Sequence, residues 1–391
     1  MRRSSQIYSR VAGTILLSFV LPICAAAVAP PSIAHYVDLA QASYGDAVRS
    51  ANDMQSAINA LLREPSAATL RSARESWTAA HRIYGTTEAF RFFGGPIDDA
   101  RGLEKRINTW PIDAAYLDYT KAEPDAGLIN HPKNDAAIGL TLTSEGLAAI
   151  NQRESERNVS VGFHAIEFLL WGEDLSAMGP GDRPYTDYVA GTGQNAARRA
   201  QALRAITALL VKDLQAVRDD WSATDGHYGS RFAADPQALR SALIGFTTLA
   251  GAELSGERLS TALNTQSQEE EESCFSDTTT NDINADVAAL KMVWSGSYRR
   301  IDGSTLEGPG LRDAVRRSDN ALAGQIDTAL MDAQTAAHAL HAPFDQEIVA
   351  SNPEGHARVA HLIEQLDRLA DLGKQAIRAM AASQNRAAKK P

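Results

Sequence analysis

The chain has 391 residues, with 48 Asp and Glu against 38 Lys and Arg, for a formal net charge of -10. That length allows a large core or two domains, and the acidic balance, with no basic stripe to neutralise phosphates, excludes nucleic acid as a partner. Two cysteines far apart, Cys24 and Cys274, exclude a disulfide framework.

Residues 1–29 read as an export signal: Arg2, Arg3 and Arg10 precede an apolar run that ends in small residues. The run is too short, and too rich in Ala at its exit, for a membrane anchor. Leu21-Pro22-Ile23-Cys24 has the form of a bacterial lipoprotein site, although the bulky Ile23 counts against it. A mature chain in the periplasm or cell envelope is expected, attached to a membrane only if Cys24 is lipidated.

From residue 30 onward helical periodicity dominates. "HYVDLAQASYGDAVRSANDMQSAINALLREPS" is a first helix closed by Pro65, and Ser66 is the expected N-cap of a second, "SAATLRSARESWTAAHRIYGTTEAFRF". The Gly-, Pro- and Asp-rich stretch from Phe93 to Asp135 is a long irregular segment, of a kind that is often functional. Helical patterns resume at "SEGLAAINQ", "VGFHAIEFLLWGED" and "NAARRAQALRAITALLVKDLQAVRDDW". "SATDGHYGSRFAADP" reads as a linker, and about four more helices follow. No strand pattern stands out. The expectation is an all-α protein of two helical bundles, residues 30–225 and 226–391, related by an ancient duplication.

His164 and Glu167 interrupt the otherwise apolar run from Val161 to Trp171. Three residues apart on a helix, they project from one face, with Trp171 a turn further on. A buried carboxylate must be paired, bind a cation or take up a proton. An imidazole beside it offers a nitrogen to a metal, and the same spacing builds carboxylate iron sites in bundles. A buried His–Glu pair that merely ties helices together is the alternative. Gly162 and Gly172 bracket the segment and allow close backbone approach.

"GFHAIEFLLWGED" resembles the GxHxxE motif of the imelysin family, also called peptidase M75. "YGTTEAFRFFGGPIDD", "INTWPIDAAYLDY", "GDRPYTDYV", "GERLSTAL", "EEESCFSDTTTNDI" and "SGSYRRIDGSTLEGPGL" are similar to family segments and fall in the family's order. The resemblance implies an all-α fold of two bundle-like halves with a site in a cleft between them, export, and a link to iron. It implies a divalent or trivalent metal ion, with iron favoured over zinc, or an iron-containing ligand, and an envelope protein is a further candidate partner. The peptidase name raises a rival reading. A catalytic zinc usually takes three protein ligands plus water. HxxE supplies two, and the chain has no HExxH.

Oxygen donors for such a site are sought in Glu88, Asp98 and Asp113, with Tyr116 as a phenol and Arg91 as a partner for carboxylates. Glu253 and Arg258 in "AELSGERL" have similar standing. Glu272 and Thr280 stand where histidines are common in the family, while Cys274, Ser276 and Asp277 remain. That departure points to an oxygen-rich site suited to ferric or calcium-like cations. The run Glu269 to Glu272 is expected to be a solvated loop, Cys274 a buried structural thiol, His81 a packing residue, and His338 and His341 incidental.

Overall fold

A computed structural model describes residues 30–131, 135–176 and 178–388. The predicted leader, with Cys24, lies outside the described residues. The described residues are all-α apart from one small hairpin. No helix among the described residues is long and apolar enough to cross a membrane.

Helix α1 (Pro31–Arg63) starts with Pro at its first turn, where a missing N–H costs nothing. Its apolar stripe, Ile33, Tyr36, Val37, Ala40, Tyr44 and Ala51, is fully buried. It packs against α2 (Ala67–Gly85) and, further along the chain, α8 (Ala196–Asp220). Ser66 caps α2 as expected: its hydroxyl accepts from the Thr69 N–H at 3.2 Å, and the Ser66 N–H donates to the Thr69 hydroxyl at 3.0 Å. The segment between α2 and the GxHxxE helix is mostly irregular, with single turns α3 (Glu104–Ile107), α4 (Ala114–Leu117) and α5 (Asp135–Ile138) before α6 (Ser144–Ile150). Helix α7 (Phe163–Trp171) has every residue buried.

Beyond α8 come α9 (Tyr228–Ala234) and α10 (Ala238–Thr248), then a π-helical run, Leu249–Ser260, α11 (Thr261–Thr265) and α12 (Thr279–Ser295). Strands β1 (Ser297–Arg299) and β2 (Thr305–Glu307) pair antiparallel. Helices α13 (Leu311–Ser318), α14 (Asn320–His338), α15 (Asp345–Ile348) and α16 (Pro353–Ala388) complete the chain. Helix α16 packs on α14, α10 and the π-helical run. Packing also crosses residue 225: α2 meets α12, and α1 meets α9 and α13.

Two elements differ from expectation. The supposed linker contains α9, because Tyr228 and Phe232, four apart, pack on Trp221 at ring separations of 5.1 and 5.5 Å. That contact joins an aromatic cluster with Tyr36, Phe90 and Phe93 and offsets the weak local propensity. The hairpin escaped notice because three residues are too few for a period-two pattern. Its available signal was Asp302-Gly303, a turn dipeptide with Gly303 at φ +84°. It is anchored on α1 by Arg300, whose Nη2 donates to Asp46 at 2.7 Å.

Candidate metal centre

Gly162 sets the start of α7. Its φ is +96°, and a Cβ there would lie 2.8 Å from the Ile107 carbonyl oxygen and 2.9 Å from that of Arg106. Gly162→Ala is therefore expected to cost about 1–3 kcal/mol and to push the start of α7 away from α3; urea unfolding at wild-type stability would disprove this.

Inside α7 the His164–Glu167 pair forms as the spacing requires. His164 Nδ1 lies 2.8 Å from Glu167 Oε2. The other carboxylate oxygen, Oε1, accepts from the Ser276 N–H at 2.9 Å and the Ser276 hydroxyl at 2.7 Å. Both Glu167 oxygens thus serve to hold His164 and the Ser276 loop. His164 Nε2 is buried and has no hydrogen-bond partner among the described residues.

Helix α2 brings the second imidazole. Trp77, His81 and Tyr84 fall at i, i+4 and i+7 on its buried face. Trp77 donates to the Phe163 carbonyl at 2.9 Å and stacks on His81 at 4.8 Å. The His81 and His164 rings are 5.1 Å apart and near perpendicular. His81 is held at both nitrogens, Nδ1 by Asp282 at 3.0 Å and Nε2 by the Asn108 side-chain oxygen at 2.8 Å. The Asn108 amide in turn donates to Glu272 Oε1 at 3.0 Å, which fixes its orientation. Donor atoms of His81, His164 and Glu272 all lie within 4.8 Å of one another. Donor atoms around one tetrahedral metal at about 2.1 Å lie roughly 3.4 Å apart, so the side chains would have to draw inward to close the set.

Glu272 is tied to a buried charge network. The Arg258 guanidinium pairs with it, with Asp286 at 2.8 Å, with Glu88 at 2.8 Å and with Glu253 at 3.0 Å. Glu253 and Arg258 are five apart, a spacing that a π-helix places on one face. Arg91 pairs with Glu88 at 2.7 Å, Glu104 at 3.3 Å and, more loosely, Asp98 at 3.7 Å.

Electrostatics follow from burial. Burial opposes charge on His81, but Asp282 and Glu272 outweigh it and push the imidazole up to about 9. Burial and the charge on His81 hold His164 well below its ordinary value, so it stays neutral. Burial pushes Glu167 up to about 8 against the Ser276 hydrogen bonds, and Glu272 up to about 7 against Arg258. All three raised groups bind more protons folded than unfolded. Their contribution to stability is greatest at low pH and is lost as pH rises, from about pH 4.5 for the carboxyls and 6.5 for His81 toward about 9. The melting temperature of chelated protein is expected to fall between pH 6 and 9, with a shallower slope in Glu272→Gln; an equal slope would refute the assignment to Glu272.

The centre opens to a pocket of about 490 Å³ lined by His164, Glu271 and Glu272, with Trp110, Asp113 and Arg157 among its other residues. Glu271 and Glu272 are buried and only Glu269 is fully exposed, so the expected solvated acidic run folds inward. The donor set by His164 has two imidazoles and one carboxylate rather than being oxygen-rich.

The remaining sequence candidates are scattered. Glu88 is taken up by Arg91 and Arg258. Asp98 accepts from the Phe92 N–H at 2.6 Å, and Asp113 caps α4 at the pocket wall. The Tyr116 hydroxyl donates to the Ile150 carbonyl. Trp171 packs edge-on against Trp77 beneath Arg74. Asp277 is half-buried, and burial and Asp174 push its carboxyl up to about 7. Burial raises the Cys274 thiol well above its ordinary value, so it is no ready thiolate ligand. Sequence reasoning missed His81 and Asn108. The signal for His81 was its place on the Trp77–Tyr84 stripe; Asn108, in irregular chain, gave none.

Two imidazoles from α2 and α7 and a carboxylate from the turn before α12 converge on one buried point of an all-α protein, a donor set that could hold a metal ion. The family model for imelysin, peptidase M75, matches residues 40–372, and the chain belongs to that family. Iron-regulated protein A of Synechococcus elongatus is 25% identical over 322 residues, 81% of this chain and 76% of that protein. The crystal structure of an iron-regulated protein A precursor from Parabacteroides distasonis superimposes with a TM-score of 0.65 at 15% identity, covering 89% of this chain and 94% of that one. An imelysin-like protein from Psychrobacter arcticum gives 0.59 at 18% identity, covering 90% and 96%. At those identities the two structures speak for the fold.

Proposed function

We propose that this is an exported metal-binding protein that holds one cation between His81, His164 and Glu272 and serves iron acquisition or sensing. The observation that carries the reading is the buried, unpartnered Nε2 of His164 at the pocket wall. A buried polar atom without a partner costs about 1–3 kcal/mol, and two further donors beside it offer a reason to keep it. The name of the Synechococcus relative supports iron, and the N-terminal pattern of Arg and apolar residues supports export.

A cation bound there would supply a fixed positive charge at the pocket floor. The chain's own residues do the rest. Once Glu167 is ionised, it accepts from His164 Nδ1 and so keeps the lone pair of Nε2 directed at the site. Asp282 does the same for His81, which joins the set by giving up one proton. Protons and metal therefore compete, and affinity rises with pH.

The test is metal content and titration of the mature, untagged protein beside His164→Ala and Glu167→Gln. One equivalent of metal is expected, lost in His164→Ala and weakened about 10–100-fold in Glu167→Gln. No bound metal under any condition, with destabilised variants, would reduce the pair to a structural contact. The three donors also fill the gap in the metallopeptidase reading. Zinc-dependent cleavage of unfolded peptide that disappears in His164→Ala would favour it, and metal-loaded protein without cleavage would dismiss it.

A further inference from the structure

We infer that the pocket beside the centre receives a basic side chain, arginine or lysine, from an extended segment of another polypeptide. The inference goes beyond the metal-binding reading and does not depend on what fills the centre. The pocket, of about 490 Å³, is walled by carboxylates from separate stretches of chain: Asp113 before α4, Glu123 after it, Glu173 and Asp174 after α7, and Glu269 and Glu271 before α12. Among the described residues Arg157 is the one arginine or lysine on that wall, and it is already paired with Glu270 at 2.8 Å. A wall of one sign focuses its field and draws in the opposite charge.

Acidity alone would not make a site. Glu271 adds an independent observation: it is 2% exposed, lines the pocket, and its Oε1 has no hydrogen-bond partner among the described residues. The charged groups that weigh most on it are Asp345, Asp277 and Asp174, all of its own sign. A buried carboxylate so placed calls for a positive group from outside. The donor set that converges within 4.8 Å is His81, His164 and Glu272, and it includes none of these four carboxylates. Carboxylates spread in this way suit a guanidinium or ammonium on a flexible stem, whose several N–H donors point to separate acceptors. Trp110, Ile112 and Phe275 give that stem an apolar bed. A second pocket, of about 300 Å³, shares Trp110 and Pro111 with the first and carries Glu104, Glu253, Glu257 and Glu270 against Arg91 and Lys105. Arg91 is itself paired with Glu88 and Glu104. Two acidic pockets in contact suit an extended chain that presents basic residues in succession, each residue advancing about 3.3 Å.

The experiment is a fluorescence-anisotropy titration of chelated full-length mature protein into a dye-labelled, end-blocked hexapeptide of alanine with two arginines, beside the same peptide with citrulline for arginine. Wild type is expected to bind one arginine peptide, and the citrulline peptide at least about tenfold more weakly, with affinity falling as salt rises. Glu271→Gln, which keeps the volume and removes the charge, is expected to weaken the arginine peptide about tenfold or more. Asp371→Asn, exposed on α16 and outside both pockets, should stay within about twofold of wild type. Equal affinity for the two peptides, or unchanged affinity in a folded Glu271→Gln protein, would overturn the inference. So would spermidine that competes as well as the peptide, which would assign the pocket to a free polyamine. The comparison of arginine with citrulline uses wild type alone and stands even if Glu271→Gln does not fold.

Discussion

Arg258→Ala is expected to destabilise the protein by about 3–5 kcal/mol, since removing one partner leaves opposite charges buried and uncompensated. Arg258 is 5% exposed and its guanidinium faces Glu88, Glu253, Glu272 and Asp286. Glu88 would retain Arg91, but burial already raises Glu272 and Asp286 against the attraction of Arg258. Without it they must take up protons to stay buried. The loss should accordingly be smaller at pH 5 than at pH 8, because acid supplies those protons. Urea unfolding of metal-free protein at both pH values checks this. A loss below about 1 kcal/mol, or one that grows toward acid, would show that the network is well hydrated. Arg258→Lys should recover only part of the loss, since an ammonium cannot meet four carboxylates in one plane.

The second large effect is expected at Asp118. This carboxylate is fully buried between two arginines. Arg199 grips it bidentately at 2.6 and 3.0 Å, and Arg183 donates at 2.9 Å. Asn130 adds a hydrogen bond at 3.0 Å. Burial opposes its charge, but Arg183 and Arg199 outweigh that and hold the carboxyl below its ordinary value. Its contribution is therefore present above about pH 4 and lost as pH falls through the depressed value. Asp118→Ala would leave two buried guanidinium groups facing each other across a void, at a cost of about 3–5 kcal/mol. Arg183 would keep Asp187 at 3.0 Å, and Arg199 would keep the carbonyls of Asp187 and Gln194. These remaining bonds place Asp118→Asn nearer the low end, since it retains the volume. Thermal unfolding of both variants at pH 7 measures the difference; equal stability of Asp118→Ala and wild type would remove the triad from the account of how α4, α8 and the loop after α7 are held together.

The sequence alone determined the elements whose signals are local. The long amphipathic helices, the Ser66 cap and the projection of His164 and Glu167 from one face all follow from periodicity and spacing within a few residues. Only the tertiary structure decided the company those residues keep. His81 lies 83 positions before His164 in the chain, and Asn108, Glu272 and Asp282 come from three further segments. Nothing local distinguishes a glutamate in a polar run that will be buried against Arg258 from one that stays in water, because the deciding energy is desolvation and ion pairing with distant chain. The same reason explains Glu88 and Asp113. Both are carboxylates near the motif's expected partners, yet packing gives one to two guanidinium groups and the other to a helix N-terminus.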